Sequence, residues 1–190
     1  MIRAVIFDCF GVLAGEDWLP FKQRHFGHDQ RLNDVASDLR SQVDAGLKPP
    51  SEFIAEIARM ADVPEVEVRK SVEGNAPNKA LFDYIEQYLK PHYKIGMLSN
   101  AGGDRLHELF TPDQVDLFDA VALSYETGVV KPNPQAYRII AERLGVLTGA
   151  CVLVDDQERY CAAARAAGMQ AVVFETFAQM RPDLEKILAK

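Results

Sequence analysis

The chain has 190 residues, 48% hydrophobic and 26% charged, with a formal net charge of −7, enough for one buried core and a small inserted subdomain. The negative charge argues against a nucleic-acid backbone as main partner, but not against a small phosphorylated substrate whose charge a bound cation offsets. No apolar run approaches a membrane span, and an acidic residue arrives too early for a signal peptide, so no membrane partner and a cytoplasmic setting are expected.

In chain order, "AVIFD" (4–8) is a short β-branched run that reads as a buried strand ending on Asp8. Residues 15–78 then show helical periodicity without a convincing strand: "DWLPFKQRHF", "QRLNDVASDLRSQVDAG", "SEFIAEIARMA" and "EVEVRKSVEG". Pro49, Pro50 and Pro64 mark helix starts there, and Gly46 and Gly74 mark stops. "NKALFDYIEQYLK" (78–90) is a further helix. Strands follow at "KIGMLSN" (94–100), more weakly at "DAVALS" (119–124), at "CVLVDD" running to Asp156, and at "AVVF" (171–174). Helical patterns lie between them in "GGDRLHELF", "PQAYRIIAERLG" and "ERYCAAARAAG". Alternating strands and helices predict an α/β fold, a parallel Rossmann-like sheet sandwiched by helices, with an inserted four-helix cap. The expected division is a core of 1–14 and 79–190 and a cap of 15–78. Cys9, Cys151 and Cys161 are odd in number and lack zinc spacing, which fits reduced thiols.

Chemistry in such sheets gathers at the carboxyl ends of the strands, where Asp8, Ser99 and Asp155 fall. Four segments combine there: "FDCFGVL" with Asp8, "MLSN" with Ser99 and Asn100, "GVVKPNP" with Lys131, and "VLVDDQERY" with Asp155 and Asp156. The set suits phosphoryl transfer through a covalent intermediate. A carboxylate attacks phosphorus, and water hydrolyses the resulting aspartyl phosphate. The anions repel one another, so Mg²⁺ is expected on oxygens from Asp8 and the Asp155–Asp156 pair. Ser99, Asn100 and Lys131 would bind the remaining phosphoryl oxygens.

This arrangement resembles the haloacid dehalogenase superfamily, whose four motifs occur in the same order: a strand-end nucleophilic Asp, a Ser or Thr, a Lys, and an acidic pair. The resemblance covers essentially the whole chain, including a helical cap after the first motif. It implies Asp8 as nucleophile, Ser99 and Lys131 as phosphate-binding groups, and Asp156 as direct metal ligand with Asp155 beside it or one shell out. Most phosphatases of the family keep a second Asp, the general acid/base, where this chain has Phe10. That residue also gives its backbone carbonyl to the metal, which a side-chain change leaves intact.

Phe10 divides the readings. The superfamily's 2-haloacid dehalogenases also lack the second Asp, carry Tyr there, and use no metal. Their fourth motif, however, has serine and asparagine at the paired positions and an acid downstream, where this chain has Asp155, Asp156 and then Tyr160. The leading reading is a Mg²⁺-dependent phosphatase for a small phosphorylated metabolite, favouring leaving groups already stable as anions. A metal-independent 2-haloacid dehalogenase and a non-catalytic binding module on the same fold are the alternatives. Trp18, Phe21 and Phe26 are read as cap core, and Arg24 and Arg40 as exposed helix charge.

Overall fold

The computed structural model describes residues 1–15, 17–72 and 76–189. Five strands form one fully parallel sheet: β1 (Ala4–Phe7), β2 (Lys94–Ser99), β3 (Ala120–Leu123), β4 (Cys151–Asp155) and β5 (Gln170–Val173), in the order β3-β2-β1-β4-β5. The strand order reverses direction on either side of β1, so its carboxyl end opens at a topological switch point, where crossover helices leave a crevice.

The period-two alternation of each strand is satisfied on both faces. Val5 and Phe7 of β1, with Val152 and Val154 of β4, pack in one apolar cluster with Leu81, Ile85, Met180 and Leu184. Ala4 and Ile6, with Cys151 and Leu153, pack in the other with Tyr137, Ile140 and Ala164. Burial on both faces explains why these strands read as continuous apolar runs rather than alternating ones.

Four helices follow β1: α1 (Trp18–Phe26), α2 (Gln30–Asp44), α3 (Pro50–Ala61) and α4 (Glu65–Val72). Asp29 caps α2 by accepting hydrogen bonds from the Arg31 and Leu32 amides at 2.9 and 3.2 Å, and Pro50 occupies the first turn of α3. Trp18, Phe21, Phe26, Leu39, Phe53 and Ile57 form a separate core for these helices. The expected stop at Gly74 lies outside the described residues. The chain enters and leaves the helical region side by side: Ala14 pairs with Pro77, and the Asn78 amide donates to the Leu13 carbonyl at 2.8 Å.

The predicted helix over 78–90 is α5 (Lys79–Tyr84) running into a π turn at Ile85–Leu89. Between β2 and β3 lie two single-turn helices, α6 (Leu106–Leu109) and α7 (Pro112–Val115), so the helix expected over "GGDRLHELF" shrinks to its last part. Gly102 and Gly103 carry little helix propensity, which leaves that stretch as loop beside the site. The short α8 (Ser124–Thr127) follows β3, and α9 (Pro134–Arg143) and α10 (Glu158–Ala166) flank β4. The carboxyl-terminal α11 (Phe177–Leu188) was not among the predicted elements, and it covers one face of the sheet through Met180 and Leu184.

Candidate functional site

Asp8 is the first residue beyond β1, and its amide donates to the Val154 carbonyl of the neighbouring strand at 2.9 Å. That bond holds the backbone in strand register up to the point where the side chain leaves the sheet. Asp8 Oδ1 accepts from its neighbour's amide, Cys9 N, at 2.7 Å, and pairs with Lys131 Nζ at 2.9 Å. Lys131 is 2% exposed and also meets Asp155 Oδ2 at 2.6 Å. The other oxygen of Asp155 accepts from the Gln157 amide at 2.9 Å. Asp155 is thus committed to positioning Lys131 and the turn into α10.

Asp156 has a different environment. Its Oδ1 is buried and takes no hydrogen bond among the described residues. Against it lies Gly11, at φ +84°, where an added Cβ would stand 2.7 Å from Asp156 Oδ2. Only glycine lets the loop after β1 approach this closely in that conformation. One oxygen each from Asp8, Asp155 and Asp156 lies within 4.8 Å of the others.

Three carboxylates therefore share a buried space with one ammonium. Burial pushes the Asp8 carboxyl well above the usual carboxylate range; Lys131 opposes this, and Asp155 and Asp156 add to it. Burial first, then Asp155, push Asp156 up to about 6. Lys131 moves up despite burial, because Asp155 and Asp8 favour its charged form. A hard divalent cation fits this donor set: it takes carboxylate and carbonyl oxygens, it removes the excess negative charge, and it satisfies the orphaned Asp156 oxygen. Asp8, Asp155 and Asp156 each turn an oxygen toward that space, and both oxygens of Asp155 already have protein donors.

Ser99 ends β2, 1% exposed, and its Oγ takes no hydrogen bond among the described residues. It lines a small crevice beside Cys9 and Phe10 rather than the main cleft. Asn100 makes a reciprocal pair with the backbone of Lys131: its Nδ2 donates to the Lys131 carbonyl at 3.0 Å, and its Oδ1 accepts from the Lys131 amide at 2.8 Å. The side-chain amide expected at phosphate is thereby occupied in holding the lysine loop.

Above these groups lies a cleft of about 230 Å³ between the sheet edge and helices α1 and α2, and Asp8, Phe10, Asn100 and Lys131 line its floor. Trp18 and Lys22 of α1 and Ser37, Arg40, Ser41 and Asp44 of α2 line its roof. Arg40, expected as exposed charge, instead faces the cleft and pairs with Asp44 at 3.1 Å, whereas Arg24 lies away from it beside Asp17 and Lys70. Sequence reasoning also missed Asp44, Lys22 and Arg159. The available signal was the spacing of Ser37, Arg40, Ser41 and Asp44, a polar stripe at i, i+3, i+4 and i+7 on one helix face. Ser124 of α8 joins the two halves, its Oγ bonded to the Asp44 carbonyl and accepting from the Ala101 amide at 2.9 Å.

A parallel sheet with a carboxylate cluster and a buried lysine at its carboxyl edge defines an α/β enzyme that works at strand ends. Residues 2–168 match the sequence profile of the haloacid dehalogenase-like hydrolases, and the chain belongs to that family and is a hydrolase. A phosphatase from Mycobacterium tuberculosis, MT3486, is 28% identical over 99% of this chain and 94% of its own length. A haloacid dehalogenase family enzyme from Bacteroides thetaiotaomicron, crystallised with magnesium and inorganic phosphate, superposes with a TM-score of 0.70 at 22% identity, over 94% of this chain and 98% of its own. The L-2-haloacid dehalogenase of Xanthobacter autotrophicus, with chloropropionic acid covalently bound, gives a TM-score of 0.65 at 20% identity, over 98% of this chain and 83% of its own. These two structures are alike in fold. No helix among the described residues is long and apolar enough to cross a membrane.

Proposed function

We propose that the chain is a Mg²⁺-dependent phosphatase acting on a small phosphorylated molecule through an aspartyl phosphate on Asp8. The observation that carries this reading is the cluster of three carboxylates, of which Lys131 pairs with two and Asp156 has no ion pair among the described residues. A metal-independent enzyme gains nothing from such a cluster, since each carboxylate raises the energy of its neighbours. Asp8, Asp156 and the Phe10 carbonyl would hold the ion, with Asp155 beside it through Lys131. Bound there, the cation would supply positive charge to the phosphoryl oxygens and neutralise the site.

The remaining steps belong to this chain's own groups. Asp8 Oδ1 carries the bonds from Cys9 and Lys131, so the attack falls to Oδ2. A bond forms from that oxygen to phosphorus as the bond from phosphorus to the leaving oxygen breaks, and the leaving group takes the electron pair. Lys131, fixed by Asp155 and the Asn100–backbone pair, stabilises the phosphoryl charge, and Ser99 Oγ, buried beside Cys9 and Phe10 with no hydrogen bond among the described residues, would donate to a phosphoryl oxygen that reaches into its crevice. Water then attacks phosphorus, releasing inorganic phosphate and restoring the carboxylate. Phe10 offers the leaving oxygen no proton, so acyl and anomeric sugar phosphates should react fastest. Steady-state rates on a panel of phosphate esters, with magnesium and with EDTA, test this. Turnover that needs magnesium and disappears in Asp8→Asn with the fold retained supports it, and full activity of that variant refutes it.

The aromatic Phe10 at the cleft floor favours a second reading, carbon–halogen hydrolysis with Asp8 attacking carbon. It predicts hydrolysis of 2-chloropropionate that persists in EDTA. A binding module without turnover is the reading left if neither substrate class reacts.

A further inference from the structure

The cleft holds four cationic side chains, Lys22, Arg40, Lys131 and Arg159, and two carboxylates, Asp8 and Asp44. The pairing is uneven. Lys131 is matched by Asp8 and Asp155, and Arg40 by Asp44. Lys22 and Arg159 form no ion pair with any carboxylate among the described residues, in a chain whose formal charge is −7.

Both are nevertheless held in place. Lys22 Nζ donates to Ser37 Oγ at 2.9 Å, and Ser37 Oγ in turn donates to the Asn33 carbonyl at 2.8 Å. Arg159 donates through Nε to Gln157 Oε1 at 2.9 Å and through Nη2 to the Tyr160 hydroxyl at 2.8 Å. Its guanidinium lies over the Tyr160 ring, 4.6 Å from the centroid, and Lys131 Nζ lies 4.8 Å from the same centroid. Tyr160 thus fixes Arg159 relative to the reacting centre. Partial burial, then the charge of Arg159, push the Lys22 ammonium down, and Asp34 only partly offsets this. Two like charges held in one cleft repel each other, and an anion placed between them removes that repulsion.

We propose that Lys22 and Arg159 form a second anion subsite, and that the substrate is a phosphate ester or anhydride carrying another anionic group, a carboxylate or a second phosphate, at its far end. This rests on the phosphatase reading for the near end of the molecule. The cleft volume of about 230 Å³ restricts the span to a small molecule. Lys22 comes from α1 and Arg159 from α10, and both line the same cleft as Asp8 and Lys131.

The test compares phenyl phosphate with 4-carboxyphenyl phosphate, a pair with closely matched leaving groups that differs in the distal charge. Binding is measured by calorimetric titration with magnesium present, and turnover by phosphate release, for the wild type and for Lys22→Met and Lys22→Arg. The proposal expects the carboxylate to tighten binding and raise kcat/KM by roughly tenfold in the wild type, the worth of one charge-assisted hydrogen bond. That preference collapses in Lys22→Met and returns in Lys22→Arg, which keeps the charge. Equal affinity of both compounds for the wild type, or an unchanged preference in Lys22→Met, overturns the subsite. Failure of both esters to turn over, with the binding preference intact, defeats the phosphatase reading instead.

Discussion

Phe10 stands two residues beyond Asp8, half-buried on the cleft floor, in a loop whose backbone is closed by the Gly11 amide donating to the Ala14 carbonyl at 2.8 Å. The side chain is therefore the variable part of a fixed turn. A carboxyl group at this position would face the same cleft as Asp8 and could pass a proton to a departing alkoxide. Phe10→Asp should accordingly raise the rate on a simple alkyl phosphate by about 10²–10⁴-fold, the usual worth of general acid catalysis. It should change the rate on p-nitrophenyl phosphate little, since that leaving group departs unprotonated. Steady-state rates on both esters check this, and equal changes on the two would show that proton donation is not what Phe10 lacks.

Between elements, the site is a meeting of loops more than of regular structure. The loop after β1 reaches the turn after β4 only because Gly11 lacks a side chain and adopts φ +84°. Gly11→Ala forces a Cβ to 2.7 Å from Asp156 Oδ2 and places alanine in a backbone region that costs roughly 1–2 kcal/mol. Loss of about 10–100-fold in magnesium affinity is expected from displacing a ligand's support, together with a fall in Tm. Titration of the ion by calorimetry and thermal denaturation read the two effects separately. The sheet was legible in the sequence because its strands are buried on both faces and appear as unbroken apolar runs. The strand-end positions of Asp8, Ser99 and Asp155 followed from that alone. The cleft roof was not legible. Arg40 reads as surface charge until the chain path brings Asp44 and the sheet edge to it, and Arg159 carries no sequence signal that foretells its stacking on Tyr160. Such contacts join residues from elements far apart in sequence, which local periodicity cannot pair. The helix α11 has the helical spacing Phe177, Met180, Leu184 and Ile187, but Pro182 inside it reads as a breaker.

Across the whole molecule, the acid cluster ties stability to pH and to metal. An unfolded aspartate titrates near 3.8, whereas burial and neighbouring charge push Asp156 up to about 6 and Asp8 also upward. Between those values the folded chain keeps protons that the unfolded chain has released. Stability from these groups is therefore greatest below about 4 and declines as pH rises through 6, opposite in direction to an ordinary salt-bridged carboxylate. On the proposed reading, a divalent cation would bind the deprotonated cluster and so stabilise most where the protons are gone. In EDTA, Tm should fall between pH 4.5 and 6.5 by more in the wild type than in Asp156→Asn, after allowance for changes common to both. Magnesium should raise the wild-type Tm more at pH 7.5 than at pH 5, and raise that of Asp156→Asn less at either pH. Thermal denaturation across pH, with magnesium and with EDTA, measures each arm. A wild-type Tm insensitive to magnesium at pH 7.5 would mean that the three carboxylates are balanced by protons and Lys131 alone. The metal-independent reading of the site would then take precedence, because the cluster would carry no net charge for a cation to neutralise.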